Sequence, residues 1–371
     1  MSALSIVFLG LSITSSWGNG HATTYRALVK GLARRGHRVL FLERDVPWYA
    51  AQRDLPEPPF GTTRHYRDLE ELRTRFAGAV EAADLAVLGS YVPEGVEVAR
   101  WMLERAAGVT AFYDIDTPVT LAKLRRSDHE YLAPDLISRF DLYLSFTGGP
   151  VLDLLAQAFG ARRPRPLYCS VDPDVHCAPA EAKRWDLGYM GTYSPDRQPG
   201  LEAFLLAPAD ALPERAFAVA GSQYPADLRW PANVRRFEHV PPARHASFYG
   251  AQRFTLNLTR ADMVCAGWSP SVRLFEAAAT GTPIISDAWP GLETFFEPEK
   301  EILIARSSEQ VMSFLCDLDE AERQAIAAAA KRRVLAAHTP DQRALELERY
   351  VAEARGEPYP AIEPGATMEV A

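Results

Sequence analysis

Short apolar runs alternate with amphipathic stretches along most of the chain, and this pattern predicts an α/β fold. The first apolar run, 5–9, leads through a polar, glycine-containing loop into a helix predicted at 21–34, and a second strand follows at 38–42. The order strand, glycine loop, helix, strand is typical of a mononucleotide-type βαβ unit. The first part of the chain is therefore predicted to be a doubly wound, Rossmann-like domain.

The same alternation continues and divides the chain into two series of elements. The other predicted strands are 85–89, 109–113, 140–146, 166–171, 186–190, 216–220, 234–240, 254–258, 284–286 and 302–305, and the other predicted helices are 151–159, 201–206, 271–280, 309–315, 320–337 and 341–354. Since 371 residues are too many for one ordinary core, we predict two doubly wound domains, 1–172 and 173–340. Polar loops follow the strands of both series, which places the predicted active site in a cleft between the domains.

Composition and charge narrow the class of partner. The chain is 47% hydrophobic and 24% charged, with a net charge of −8, which argues against a nucleic-acid or anionic-membrane partner. No apolar run approaches the roughly 20 residues of a membrane span, and the N-terminus lacks the positive region of a signal peptide, so a cytoplasmic protein is predicted. The four cysteines show no Cys-x-x-Cys spacing and are interpreted as reduced, mostly buried thiols.

The segment 267–287 carries the most informative charged residues. A polar loop passes into a helix that is apolar nearly all round, which predicts that the helix is buried. Arg273 and Glu276 interrupt it three residues apart, on one face. Buried ionisable groups are costly unless they are paired or meet a ligand. The pattern therefore leaves two interpretations, an internal Arg273–Glu276 ion pair or a ligand-binding pair of side chains.

This segment resembles the donor-nucleotide segment of GT-B glycosyltransferases, in which Arg-x-x-Glu-Ala is followed by Gly-x-Pro and an apolar strand. The resemblance implies that Glu276 accepts hydrogen bonds from the ribose hydroxyls of a sugar nucleotide, a role that suits an ionised carboxylate. Retaining families often carry another glutamate eight residues earlier, where this chain has Trp268. Retention and inversion of the sugar configuration therefore both stay open.

A closer resemblance covers residues from about 5 to 355. The segments 113–120, 146–150, 191–197, 256–260 and 267–273 are similar to those of spore-maturation CgeB-type glycosyltransferases. The resemblance implies the GT-B fold, with a C-terminal helix at 341–355 packing back on the first domain and a loose tail at 356–371. It also implies transfer of a sugar from a nucleotide-diphosphate sugar, for which we expect a UDP-sugar, to an unidentified acceptor in polysaccharide or cell-surface glycan synthesis. No metal and no cofactor are expected.

The resemblance and the positions at strand ends together give an expected donor-binding set. Arg197 stands where related enzymes place a phosphate-binding arginine, and Arg260 or Arg273 would supply the charge of a lysine that is absent here. Gly18 and Gly20 lead into a helix N-terminus, which favours an anion, and a tight turn is the alternative interpretation. The whole expected set is Gly18, Gly20, Thr192, Arg197, His239, Asn257, Arg260, Ser271, Arg273 and Glu276.

His21 and Asp116 are the candidate catalytic residues, since an inverting enzyme needs a general base from the first domain. His21 begins a helix, where a depressed pKa would suit a neutral base. Asp116 follows a strand, but it also fits a cap or turn before Pro118. Asp114-Ile115-Asp116 is typical of some metal sites, yet no third carboxylate is nearby, so no metal is predicted.

Two other classes of function remain compatible with the sequence. A sugar-nucleotide 2-epimerase with the same fold would turn over the donor without any acceptor. A non-catalytic binding protein is also compatible, because Trp268 replaces the upstream glutamate.

Overall fold

The computed structural model describes residues 2–18, 20–177 and 181–359, and the chain forms two compact units. The first unit consists of Met1–Ser170 and Pro340–Ala371, and the second is Val171–Thr339. The chain thus enters the second unit after Ser170 and returns to the first after Thr339. Most of the tail predicted at 356–371 lies outside the described residues.

The first unit is built on a seven-stranded parallel sheet. Its strands are β1 (Ser5–Gly10), β2 (Arg38–Arg44), β3 (Thr62–Tyr66), β4 (Leu85–Gly89), β5 (Val109–Asp114), β6 (Leu142–Ser145) and β7 (Pro164–Pro166). They pair in the order β3-β2-β1-β4-β5-β6-β7. Every residue of β4, β5 and β6 is buried, as expected where helices cover both faces of a parallel sheet.

Eight helices connect these strands: α1 (His21–Arg34), α2 (Pro47–Ala50), α3 (Leu69–Arg75), α4 (Ala77–Glu81), α5 (Gly95–Arg105), α6 (Thr117–Arg125), α7 (Pro134–Ile137) and α8 (Pro150–Phe159). The strand order reverses direction between β1 and β4. In open α/β sheets, ligands bind beside the carboxyl ends of the strands at such a switch point.

The second unit repeats this architecture with six parallel strands. They are β8 (Trp185–Met190), β9 (Phe217–Ala220), β10 (Val234–Phe237), β11 (Gln252–Asn257), β12 (Ile284–Ser286) and β13 (Leu303–Ile304), in the order β10-β9-β8-β11-β12-β13. The switch point lies between β8 and β11. The predicted strand 234–240 is too long, because pairing with β9 stops at Phe237.

The helices of the second unit are α9 (Pro173–His176), α10 (Gln198–Leu201), a π-helical turn (Glu202–Leu206), α11 (Ala207–Ala211), α12 (His245–Gly250), α13 (Ala261–Ala266), α14 (Val272–Thr280), α15 (Ser308–Cys316) and α16 (Glu320–Ala337). Short 3-10 turns lie at Pro242–Arg244 and Leu292–Thr294. Its largest core packs Leu187, Phe217, Phe254 and Ile285 of four strands against side chains of the covering helices.

The last helix, α17 (Pro340–Arg355), belongs to the first unit and packs against α1. Ala344, Leu347 and Val351 are fully buried in the core of that unit. The two helices approach so closely that a Cβ at Gly31 would lie 2.3 Å from the carbonyl oxygen of Pro340. Only glycine fits this crossing without displacing backbone.

The predicted strand 166–171 is wrong, since strand pairing stops at Pro166. The carbonyl groups of Tyr168 and Cys169 instead accept hydrogen bonds from Nε of Arg343, at 3.0 and 3.2 Å. Tyr350 donates to the carbonyl oxygen of Pro166 at 2.9 Å. Side chains of α17 therefore take the place of a neighbouring strand for this apolar run.

The cysteines also differ from the expectation. Cys169 is buried, but Cys177, Cys265 and Cys316 are exposed, because they lie at or near the ends of short helices. All four are free thiols.

Candidate functional site

A network of polar side chains lies at the carboxyl ends of β8, β11 and β12, beside the switch point of the second sheet. Arg273 on α14 is at its centre and is only 9% exposed. Its Nε donates to the carbonyl oxygen of Met190 at 2.5 Å, and its Nη1 donates to Oδ1 of Asn257 at 2.8 Å. Ser271 donates to the same Asn257 oxygen at 3.3 Å. The sequence prediction thus named three residues that the structure brings together.

Arg197, at the start of α10, lies near this network. Its Nη2 donates to the carbonyl oxygen of Thr192 at 2.6 Å, whereas its buried Nε has no hydrogen-bond partner. Burial lowers the pKa of the Arg197 guanidinium, and the positive charges of Arg273 and Arg260 lower it further, although Tyr189 and Asp196 act in the opposite direction. Arg273 and Arg260 therefore each lie within electrostatic range of Arg197.

The nearby carboxylates of Asp196 and Asp287 form no ion pair with Arg197 or Arg273, although their charges act on these two arginines. Within the described ranges, neither Arg197 nor Arg273 forms an ion pair, and the guanidinium carbon of Arg273 instead lies 5.1 Å from the ring centre of Tyr189. Like charges placed together in a partly buried site repel one another unless an anion lies between them. The arginine cluster, which we define as Arg197, Arg260 and Arg273, therefore suits an anion with more than one negative charge.

Asp287, which directly follows β12, completes the network and was not predicted. Its carboxylate accepts from the Thr259 backbone N–H at 2.8 Å and from the Thr259 hydroxyl at 2.9 Å. Burial raises the pKa of Asp287, against the lowering effect of these hydrogen bonds and of the Arg273 charge. The position immediately after a buried strand is the sequence signal that would have identified it.

Glu276 is 4% exposed, but its partners are not those expected. Among the described residues, no ion pair joins it to Arg273. Tyr249 donates a hydrogen bond to Oε2 at 3.2 Å, and His176 and His245 approach the two oxygens at 3.4 and 3.5 Å. The interpretation of an internal Arg273–Glu276 ion pair is therefore wrong. A role of Glu276 in ribose binding stays a prediction.

Electrostatics keep Glu276 ionised. Burial alone would raise the pKa of its carboxyl, but hydrogen bonds and positive charge from His176 and His245 outweigh burial and hold the pKa well below its usual range. Burial likewise lowers the pKa of His245, but the Glu276 carboxylate outweighs it and the pKa is raised.

Trp268, which occupies the position of the absent upstream glutamate, is held in place by backbone geometry. It has a φ of 43°, a left-handed conformation that is rare for a bulky residue. Its backbone N–H donates to the carbonyl oxygen of Pro290 at 2.7 Å. The ring lies over Gly291, where a Cβ would be 2.4 Å from the indole.

His239 lies apart from this network. Because β10 ends at Phe237, His239 is an exposed loop residue on the rim of a cavity of about 410 Å³. Trp185, Phe237, Phe248 and Arg244 also line this cavity. The role of His239 in donor binding stays a prediction.

In the first unit, the loop 11–20 after β1 is organised by Glu43, which is fully buried. Its carboxylate accepts from the hydroxyls of Ser12 and Thr14 at 3.0 and 2.6 Å, and from the backbone N–H groups of Ile13 and Thr14 at 2.7 and 3.0 Å. Four hydrogen bonds satisfy the buried charge and fix the loop.

Gly18 and Gly20 are in the second half of the same loop. Gly18 has a φ of 67°, and Gly20 directly precedes the first residue of α1. A Cβ at either position would meet nothing within 4 Å, so both positions border open space. Their role in anion binding stays a prediction.

His21 and Asp116 come together through Tyr91, which was not predicted. The His21 ring packs edge-on against Tyr91 with centroids 5.3 Å apart, and the Tyr91 hydroxyl donates to Oδ2 of Asp116 at 3.2 Å. Tyr91 has a φ of 62°, and such backbone conformations are concentrated at functional sites. Burial lowers the pKa of His21 to about 4, and its buried Nδ1 has no hydrogen-bond partner.

Asp114 lies beside this group in the core. Thr120 and Tyr143 each donate a hydrogen bond to it at 2.6 Å. Burial raises its pKa to about 6, although these two hydrogen bonds lower it. Asp116 occupies the N-cap position of α6, but its side chain makes no capping hydrogen bond, so the alternative of a cap is supported by its position alone.

Residues 197–349 match the model of a family described as glycosyl transferase-like. No curated protein matches the chain in sequence. Sucrose-phosphate synthase from Thermosynechococcus elongatus superposes with a TM-score of 0.67 at 15% identity, covering 95% of this chain and 99% of that one. HepE of Anabaena in complex with UDP-glucose superposes with a TM-score of 0.68 at 13% identity, covering 94% of this chain and 100% of that one.

An alpha-glucosyltransferase in complex with UDP-glucose and DNA containing an abasic site gives a TM-score of 0.69 at 11% identity, with 94% of this chain and 98% of that one covered. At these identities the superpositions establish the fold, and the predicted GT-B fold is confirmed.

The comparisons define the class by its fold: this is a protein with the GT-B fold. The match to the glycosyl transferase-like model begins at Arg197 and covers most of the second unit. Fold and family match together support a glycosyltransferase. Among the described residues, every helix is too short or too polar to cross a bilayer.

Proposed function

We propose that the chain transfers a sugar from a nucleotide-diphosphate sugar to an acceptor, and that the arginine cluster holds the diphosphate. One observation carries this proposal. Arg197 has a buried Nε without a hydrogen-bond partner, lies within range of the positive charges of Arg260 and Arg273, and forms no ion pair within the described ranges. A diphosphate supplies both the missing acceptor oxygens and the missing negative charge.

The same arginines would assist the chemistry. When the sugar leaves, negative charge develops on the departing nucleoside diphosphate, and fixed cationic donors stabilise that charge. Arg273 is rigidly held by Met190 and Asn257, so it costs little reorganisation during the reaction. Asn257 and Ser271 thus act on the donor by positioning Arg273.

We propose UDP as the nucleotide, in line with the resemblance described above and with the UDP-glucose complexes of HepE and the alpha-glucosyltransferase. The ribose role of Glu276, the CgeB-like subtype and a place in polysaccharide or cell-surface glycan synthesis are part of the same proposal. A metal is not required for it, because cationic side chains do the work of a divalent ion.

His21 is the proposed general base for an inverting reaction, with Tyr91 and Asp116 as its neighbours. A pKa of about 4 keeps the imidazole neutral at physiological pH. A retaining reaction would leave this base without a function, so the stereochemistry of the product decides its role.

The test is to incubate the purified chain with UDP-glucose and other UDP-sugars and to measure released UDP, with NMR spectroscopy of the sugar product. We expect slow release of UDP and free sugar without an acceptor, since water replaces it. A new sugar-nucleotide isomer without UDP release would indicate an epimerase instead. If neither product forms with any UDP-, GDP- or ADP-sugar, the proposed activity is wrong.

A further inference from the structure

We propose that His176, His245 and Glu276 form a binding site for a divalent transition-metal cation of the Zn²⁺ type. The site goes beyond the proposed function, because a cation there is not needed for donor binding; it shares Glu276 with the proposed ribose contact but contains no residue of the arginine cluster. The three side chains come from α9, α12 and α14. In the described part of the chain, these three side chains form a group of possible metal ligands. One ligand atom of each lies within 4.8 Å of the other two.

The separations between ligand atoms match those around a tetrahedral cation. Nε2 of His176 lies 3.4 Å from Oε1 of Glu276, and Nδ1 of His245 lies 3.5 Å from Oε2. Zinc bonds to nitrogen and oxygen are about 2.0–2.1 Å long, which places two ligands at a tetrahedral angle about 3.3 Å apart. All three ligand atoms lie within 4.8 Å of one another, so rotation of the side chains would bring them onto one cation.

Both imidazoles present the correct nitrogen for metal binding. Nδ1 of His176 lies 3.3 Å from the carbonyl oxygen of Asp172, and Nε2 of His245 lies 3.1 Å from the carbonyl oxygen of Val240. A carbonyl accepts only from an N–H, so each outer nitrogen carries a proton and the inner nitrogen is the one that faces Glu276. Such outer partners fix the tautomer and orientation of metal-binding histidines.

Either of two species can hold these inner nitrogens beside the Glu276 carboxylate: a second proton on each ring, which gives the ion pairs described above, or a cation in place of those protons. In neutral rings both inner nitrogens direct a lone pair toward a carboxylate that is itself only an acceptor. The Nε2 of His176 is buried and has no hydrogen-bond partner, and the His176 side chain is 6% exposed. A bound cation satisfies all three lone-pair donors at once.

The donor set determines the class of cation. Two imidazole nitrogens and one carboxylate favour Zn²⁺ and similar transition metals, whereas Mg²⁺ and Ca²⁺ prefer oxygen ligands. The His245 side chain is 19% exposed and is the most accessible of the three, which leaves a route for entry. In this state the oxygens of Glu276 hold the cation rather than the ribose hydroxyls.

The experiment is a titration of the full-length, chelator-treated chain with ZnCl₂ by calorimetry, followed by Co²⁺ titration with visible absorption spectroscopy. We expect one zinc ion per chain and the intense absorption bands of tetrahedral Co²⁺. Loss of an outer partner of a metal ligand weakens metal binding by about 10- to 100-fold. Removal of a ligand itself, in His176→Ala or His245→Ala, should weaken zinc binding by more than that. His129→Ala, which removes an exposed histidine of the first unit, should bind zinc like the unaltered chain.

Far-UV circular dichroism shows whether each variant folds, and the titration of the unaltered chain decides the matter if a variant does not. Absence of stoichiometric zinc and cobalt binding would overturn the proposal, as would equal binding by the His176→Ala, His245→Ala and His129→Ala variants. The three residues would then be held together by ion pairs between protonated histidines and the Glu276 carboxylate. UDP binding by Arg197→Ala, measured without zinc, reports on the arginine cluster through a residue outside the metal site, so failure of either proposal leaves the other decidable.

Discussion

His21 is a histidine that burial keeps neutral, and this has a consequence for stability. Its pKa is lowered from 6.5 to about 4 in the folded protein, so protonation favours the unfolded chain. The resulting stability is fully present above pH 6.5 and is lost as the pH falls toward 4. A shift of this size corresponds to about 3 kcal/mol across that window.

The prediction concerns the difference between two proteins. Between pH 7 and pH 4, the free energy of unfolding of the unaltered chain should fall by about 3 kcal/mol more than that of His21→Gln, measured by urea denaturation. The comparison cancels the other titrating groups, including Asp114 and Asp287. Parallel pH profiles for the two proteins would show that His21 titrates normally.

Single residues were predictable where a motif placed them next to a recognisable element. Arg197, Asn257, Ser271 and Arg273 follow strands or open helices, and the structure joins them in one region. Tyr91 and His245 were missed, because their partners Asp116 and Glu276 lie 25 and 31 residues away in sequence. Proximity of this kind depends on the tertiary fold and leaves no local pattern.

Among the elements, the pair α1 and α17 depends on one glycine. A methyl group at Gly31 would meet the backbone carbonyl oxygen of Pro340 at 2.3 Å, and backbone cannot move aside as a flexible side chain can. We expect Gly31→Ala to lower the free energy of unfolding by about 1–3 kcal/mol, the usual cost of overpacking.

Gly78→Ala is the matched control, since Gly78 lies in α4, is exposed and has open space around its Cβ position. Alanine there should be neutral or stabilising by up to about 1 kcal/mol, because glycine is a poor helix residue. Thermal unfolding of both variants measures the difference. Equal melting temperatures for the two variants would contradict the close approach of α1 and α17.

Most elements were predictable from apolar periodicity, and the exceptions have physical causes. The helices at 21–34 and 320–337 and the strands at 85–89 and 284–286 have the predicted bounds. Strand β3 was missed because it is a polar edge strand, Thr62–Tyr66, in which only the last residue is buried. A polar strand at the edge of a sheet has no buried face to produce an apolar pattern.

At the scale of the whole molecule, the two units share one topology. Each sheet places the first strand of its series beside the fourth, which creates a switch point in both. Candidate site residues gather at the carboxyl ends of strands beside that point, around His21, Tyr91 and Asp116 in one unit and around the arginine cluster in the other. The alternation of elements predicted this architecture, whereas the resemblance supplied the identity of the ligand.

The central claim is that the arginine cluster of the second unit holds a nucleoside diphosphate, and calorimetric titration with UDP and UMP tests it most directly. We predict that the unaltered chain binds UDP more tightly than UMP. Arg197→Ala should weaken UDP binding by about 10- to 100-fold, since a hydrogen bond to a charged group contributes about 1.5–3 kcal/mol. Arg229→Ala, which removes a side chain that is 87% exposed, should bind UDP like the unaltered chain. Equal UDP affinity in Arg197→Ala and Arg229→Ala would contradict the claim.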